Sequence, residues 1–94
     1  MILSGPGVFV LRAKPGDSLT LDWASVSARQ PSFIRVWYGE TLVEEAFIGA
    51  YSPHTWWQGN DLLGRRRLQI GSLLKIELGD GLKMRIEGDL EQIN

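Results

Sequence analysis

The chain has 94 residues, 44% apolar and 22% charged, with 11 Gly, 4 Pro and no Cys. That length suits one domain, residues 1–94, with a single two-layer core. The missing cysteines exclude disulfide scaffolds, thiolate zinc sites, iron–sulfur clusters and cysteine nucleophiles. Ten basic against eleven acidic residues leave a net charge of −1, so no global field draws the protein to nucleic acid or anionic lipid. No apolar run approaches the length of about 18 residues that crosses a bilayer. The opening Met1-Ile2-Leu3-Ser4-Gly5-Pro6-Gly7 has neither the basic nor the apolar region of a signal peptide. A soluble, cytoplasmic protein is the expectation.

Short apolar alternation punctuated by Gly, Pro, Asp and Asn runs through the chain, which is the pattern of strands and turns. A first strand is predicted at Val8–Ala13, followed by a turn at Lys14-Pro15-Gly16-Asp17 with Pro and Gly in type II order. Ser18–Trp23 predicts a second strand with Leu19, Leu21 and Trp23 on one face. The polar stretch from Ala24 to Ser32 reads as a loop.

Two hairpins are predicted next. In the first, Phe33–Tyr38 and Thr41–Glu44 flank Gly39-Glu40, and Gly39 supplies the positive φ of a II′ turn. That register pairs Tyr38 with Thr41, Trp37 with Leu42, Val36 with Val43 and Arg35 with Glu44, all favourable cross-strand neighbours. Glu44-Glu45 breaks the alternation before Ala46-Phe47-Ile48, which suits a bulge. Both faces of this hairpin carry apolar residues, so it is expected centrally in a sheet or at an interface.

The only hint of a helix is Asn60-Asp61-Leu62-Leu63, which Gly64 cuts short. A further short strand is predicted at Arg67–Ile70. The second hairpin joins Leu73–Leu78 to Leu82–Glu87 through Gly79-Asp80-Gly81. A three-residue loop keeps Leu74, Ile76, Leu78, Leu82, Met84 and Ile86 on one face, whereas a two-residue loop scrambles the faces. Six or seven strands at this spacing predict an all-β chain, a small antiparallel β-sandwich in preference to a small barrel.

Catalytic chemistry has little material. His54 is the one histidine, so a multi-histidine metal site cannot form within a chain. Ser52, His54 and Asp61 share one loop-like stretch, and no G-x-S-x-G elbow presents a serine. Glu44 and Glu45 point to opposite faces of a strand, Asp22 lies on a polar face, and no glycine-rich loop leads into a helix that would hold phosphate. No enzyme, metal or cofactor is expected.

The distinctive stretch is Trp56-Trp57-Gln58 with Asn60 and Asp61, followed by Arg65, Arg66 and Arg67. Four Trp and an excess of Arg over Lys fit a protein interface, where these residues concentrate. A binding or assembly module that self-associates, or joins a larger complex, is therefore the leading expectation. A carbohydrate-binding module is the alternative, with a Trp ring for stacking and Gln58, Asn60 and Asp61 for hydroxyls. Single-stranded nucleic acid on the same aromatics and arginines is a minor alternative that the pI of 5.7 disfavours. Against all three stands burial: large aromatics usually pack inside a fold without any binding role.

Overall fold

The computed structural model describes residues 1–14, 21–57, 73–88 and 90–94. Within them the protein is all-β, with nine strands in two antiparallel sheets that do not close into a barrel. The strands are β1 (Ile2–Ser4), β2 (Gly7–Ala13), β3 (Leu21–Ala28), β4 (Ser32–Tyr38), β5 (Thr41–Ile48), β6 (His54–Trp57), β7 (Leu73–Leu78), β8 (Leu82–Gly88) and β9 (Leu90–Gln92). One sheet has the order β1-β8-β3-β6 and the other β5-β4-β7-β2-β9. The predicted type II turn and the strand predicted at Arg67–Ile70 lie outside the described residues.

The core sits between the sheets and is built by alternation. From the four-stranded sheet come Leu3, Ala24, Val26, Ala28, Leu82, Met84 and Ile86; from the five-stranded sheet come Leu11, Ile34, Val36, Ile48, Leu74, Ile76, Leu78 and Leu90. Phe9, Val43 and Ala46 pack against them from partly buried positions. Each of the fully buried Val, Leu, Ile and Met side chains contributes roughly 1.5–3 kcal/mol through removal from water, and the alanines less. Among the described residues no charged or polar residue is buried.

The structure corrects three expectations about connectivity. Leu73–Leu78 and Leu82–Glu87 do not pair with each other: β7 lies between β4 and β2, while β8 lies between β1 and β3. Gly79-Asp80-Gly81 therefore carries the chain across the core from one sheet to the facing one. The apolar faces predicted for the two strands are both buried, because facing strands and paired strands make the same demand on alternation. Secondly, Ala24–Ser32 is no loop over most of its length. Ala24, Val26 and Ala28 are the inward positions of β3, and the intervening serines point out.

The third correction concerns register. Tyr38 pairs with Thr41 and Trp37 with Leu42, as predicted, but the ladder then shifts by one, so Val36 opposes Glu44 and Arg35 opposes Glu45. The bulge falls at Val43, immediately before the Glu44-Glu45 pair where the sequence suggested it. The shift has a clear benefit: it puts Ala46 and Ile48 on the core side and Phe47 outside. The hairpin is also not central, since β5 is an edge strand.

Gly39 has φ 61° and Gly81 has φ 71°. Both turn glycines thus occupy the left-handed region that a β-branched side chain resists. Gly39→Val and Gly81→Val should each destabilise by roughly 1–3 kcal/mol, read as a lower melting temperature. Gly39 has open space around it, whereas a Cβ at Gly81 would meet Gln30 Cγ at 3.3 Å, so the first variant isolates the backbone cost.

Candidate functional site

The stretch singled out in the sequence is only partly described. Trp56 and Trp57 close strand β6 at the edge of the four-stranded sheet, with Trp56 opposite Ala24 and Trp57 opposite Trp23. The side chains of both tryptophans, and all of Gln58, Asn60, Asp61, Arg65, Arg66 and Arg67, lie outside the described residues. Asp61, the acid of the imagined Ser52–His54–Asp61 unit, lies outside them too. Among the described residues, no three His, Asp or Glu side chains converge as metal ligands.

The sequence pointed to the apolar hairpin Phe33–Ile48 but did not show the wider surface it belongs to, the outward face of the five-stranded sheet. Register arranges its residues in cross-strand rows. At one end Phe47 of β5 lies opposite Phe33 of β4. The next row runs Glu45, Arg35, Glu77 and Val8 across β5, β4, β7 and β2. Leu42, Trp37, Lys75 and Val10 form a third row across the same strands. A fourth joins Leu73, Arg12 and Glu91 on β7, β2 and β9. Phe47 is 82% exposed, Val8 48%, Leu42 46% and Leu73 40%, so the face exposes four large apolar side chains among its charges. Four such residues on one sheet face exceed the scattered singles normal for a surface.

The charges on this face are already matched. Arg35 Nε donates to Glu45 Oε2 at 2.7 Å and its terminal nitrogen donates to Glu77 Oε1 at 2.9 Å. These hydrogen bonds, Glu45 first, push the Arg35 pKa still higher. The same guanidinium lies 4.4 Å from the centre of the Phe33 ring, and Lys75 Nζ lies 4.5 Å from that of Trp37, both cation–π distances. Arg12 is paired with Glu91. Three cations and three carboxylates therefore sum to zero.

Glu44 takes the inward direction that the shifted register gives it. Burial pushes its carboxyl above the ordinary range, and the neighbouring His54 imidazole opposes that rise. The sequence placed Glu44 in an ion pair with Arg35; the bulge hands that partner to Glu45 instead.

Beside Phe47 and Phe33, the end of the β4–β5 pair forms a groove of about 310 Å³ with Pro31, Ser32, Ile48 and Gly49. It continues the apolar face around the sheet end. Among the described residues no helix is long and apolar enough to cross a membrane. Compared with known proteins, the chain fits no family model, and no curated protein or solved structure is significantly similar to it.

Proposed function

We propose that this protein is a non-enzymatic assembly module that associates with a second copy of itself through the outward face of its five-stranded sheet. The observation that carries the reading is the exposed apolar set Phe47, Leu42, Val8 and Leu73 around a charge ladder that is satisfied within the face. A partner that covers this face strands no unpaired charge, so burial there avoids the largest penalty that ion pairs impose on an interface. It needs to supply apolar area and no net charge, and an identical face meets both demands. The partly described Trp/Arg stretch is not needed for this surface.

Sedimentation velocity tests the reading. At tens of micromolar the protein should run at about twice its 10.5 kDa chain mass. Phe47→Glu should return it to the monomer, with an association penalty of about 2 kcal/mol or more, the hot-spot scale. Its melting temperature at low concentration should hardly move, because Phe47 is 82% exposed. A clean 10.5 kDa species for the unmodified chain at those concentrations would defeat the proposal.

A further inference from the structure

The outward face of the other sheet has the opposite character. Along β8, Lys83, Arg85 and Glu87 point outward. Lys83 lies between Ser27 of β3 and Ser4 of β1, and Arg85 between Ser25 of β3 and Ile2 of β1, so the basic pair sits at the cleft end of the row and Glu87 at the far end. At the end of this face Tyr51, Pro53, Arg29, Ser27 and Lys83 line an open cleft of about 280 Å³, and among the described residues no carboxylate lines it. Among the described residues, Arg29, Lys83 and Arg85 have no ion-pair partner. On the five-stranded sheet Arg12 and Arg35 are held in ion pairs and Lys75 lies over the Trp37 ring, so the contrast lies within one molecule.

Tyr51 is held in an unusual way. It is 79% exposed and sits at φ 57°, in the left-handed region a tyrosine rarely adopts. Its N–H donates to the Ala28 carbonyl at 2.8 Å, and Ser52 N–H donates to Gly49 O at 3.2 Å. The first bond ties the loop to the end of β3, so the ring stands beside the basic row on a fixed backbone. Strain kept at an exposed aromatic is a feature of binding positions.

We propose that this cleft and the basic row that leads from it bind an unstacked single strand of nucleic acid, with a base on the Tyr51 ring and successive phosphates on Arg29, Lys83 and Arg85. The pairing of an aromatic platform with a cationic track is how such strands are held without sequence preference. Lys83 and Arg85 are two strand residues apart, about 7 Å, which suits consecutive phosphates of an extended strand. A neutral sugar fits less well, since its hydroxyls call for carboxylate or amide side chains and none lines the cleft among the described residues. The net charge of −1 gives no long-range attraction, so affinity comes from contact on this face and is modest. The site lies on the sheet opposite the self-association face, and neither reading depends on the other.

Fluorescence anisotropy with a short fluorescein-labelled oligothymidylate tests the site on the whole chain. Binding should weaken between about 50 and 200 mM salt with a log–log slope near −2, from three phosphates at about 0.7 each. The double variant Lys83→Ser, Arg85→Ser should lose about tenfold or more in affinity and flatten that slope. Tyr51→Gly removes the ring while suiting the left-handed backbone. It should lose about tenfold with the slope unchanged, and Tyr51→Trp should restore binding. Phe47→Glu should bind as the unmodified chain does. No anisotropy change at about 100 µM protein, or full affinity in Tyr51→Gly, would overturn the proposal. So would equal competition by a duplex of the same length, by thymidine monophosphate or by a heparin oligosaccharide.

Discussion

Gly5→Ala should lower the melting temperature by an amount on the order of 15 °C, from a cost of about 3 kcal/mol at the upper end for overpacking. A Cβ at Gly5 would run into the carbonyl oxygen of Gly79, with Leu78 Cβ at 3.0 Å and the Gly79 carbonyl carbon at 3.1 Å. Backbone cannot swing aside as a flexible side chain does. Both segments are also tethered: Gly5 N–H donates to Leu82 O at 2.8 Å and Gly79 N–H to Phe33 O at 2.9 Å. The crossover from β1 to β2 thus lies flat against the crossover from β7 to β8, and the two can separate only if sheet-end hydrogen bonds break. Gly49→Ala is the control, since its Cβ would meet only Ser52 Oγ at an ordinary 3.6 Å. Scanning calorimetry that finds Gly5→Ala within a few degrees of the unmodified chain would show that this close approach is not real.

Ile76→Ala should cost about 3–4 kcal/mol, within the range for truncating a buried isoleucine, and lower the melting temperature by roughly 20 °C. Ile76 is fully buried on β7, the middle strand of five, opposite Phe9 on one side and Val36 on the other. Ladders close around it on both sides, so the cavity has little freedom to collapse. Urea unfolding should show a lower midpoint with an unchanged m-value. A loss below about 1 kcal/mol would mean that this face of β7 is not core. The neighbouring Glu77 and Lys75 point the other way, and their side chains join the outward ladder; one strand thus separates core from surface by the parity of its residues.

The sequence disclosed strand content and face assignment well where apolar side chains are large. Leu74, Ile76, Leu78, Leu82, Met84 and Ile86 are all buried as predicted. Alternation carries parity only, however, and parity is the same whether two strands pair side by side or face one another across a core. That is why a crossover between sheets reads as a hairpin. The part of β3 beyond the predicted Ser18–Trp23 strand was hidden for a different reason: Ala24, Val26 and Ala28 bury little area each, and the serines between them resemble a loop. The surface was half legible. The two-sided apolar pattern of Phe33–Ile48 suggested a central or interface position, but the one-residue shift at Val43 was needed to show that Phe47 is outside and that Glu44, half-buried, is on the opposite face. A shift of that kind is decided by packing at Ala46 and Ile48 and has no local signature.

The alternation of consecutive strands between sheets governs how fast this chain reaches its structure. Among the described residues only β4 and β5 are both sequence neighbours and ladder partners, so one described hairpin can close locally, on a scale of about 1–10 µs. All other pairings join distant segments: Ile2 with Arg85, Leu11 with Gln92, Gly7 with Leu78. Loop-closure entropy must be met before those contacts return anything. Refolding therefore belongs to the slow end for a domain of this size, roughly milliseconds to seconds. During that interval the β4–β5 hairpin, with Phe47 and Leu42 uncovered, is the segment most exposed to its own neighbours in solution.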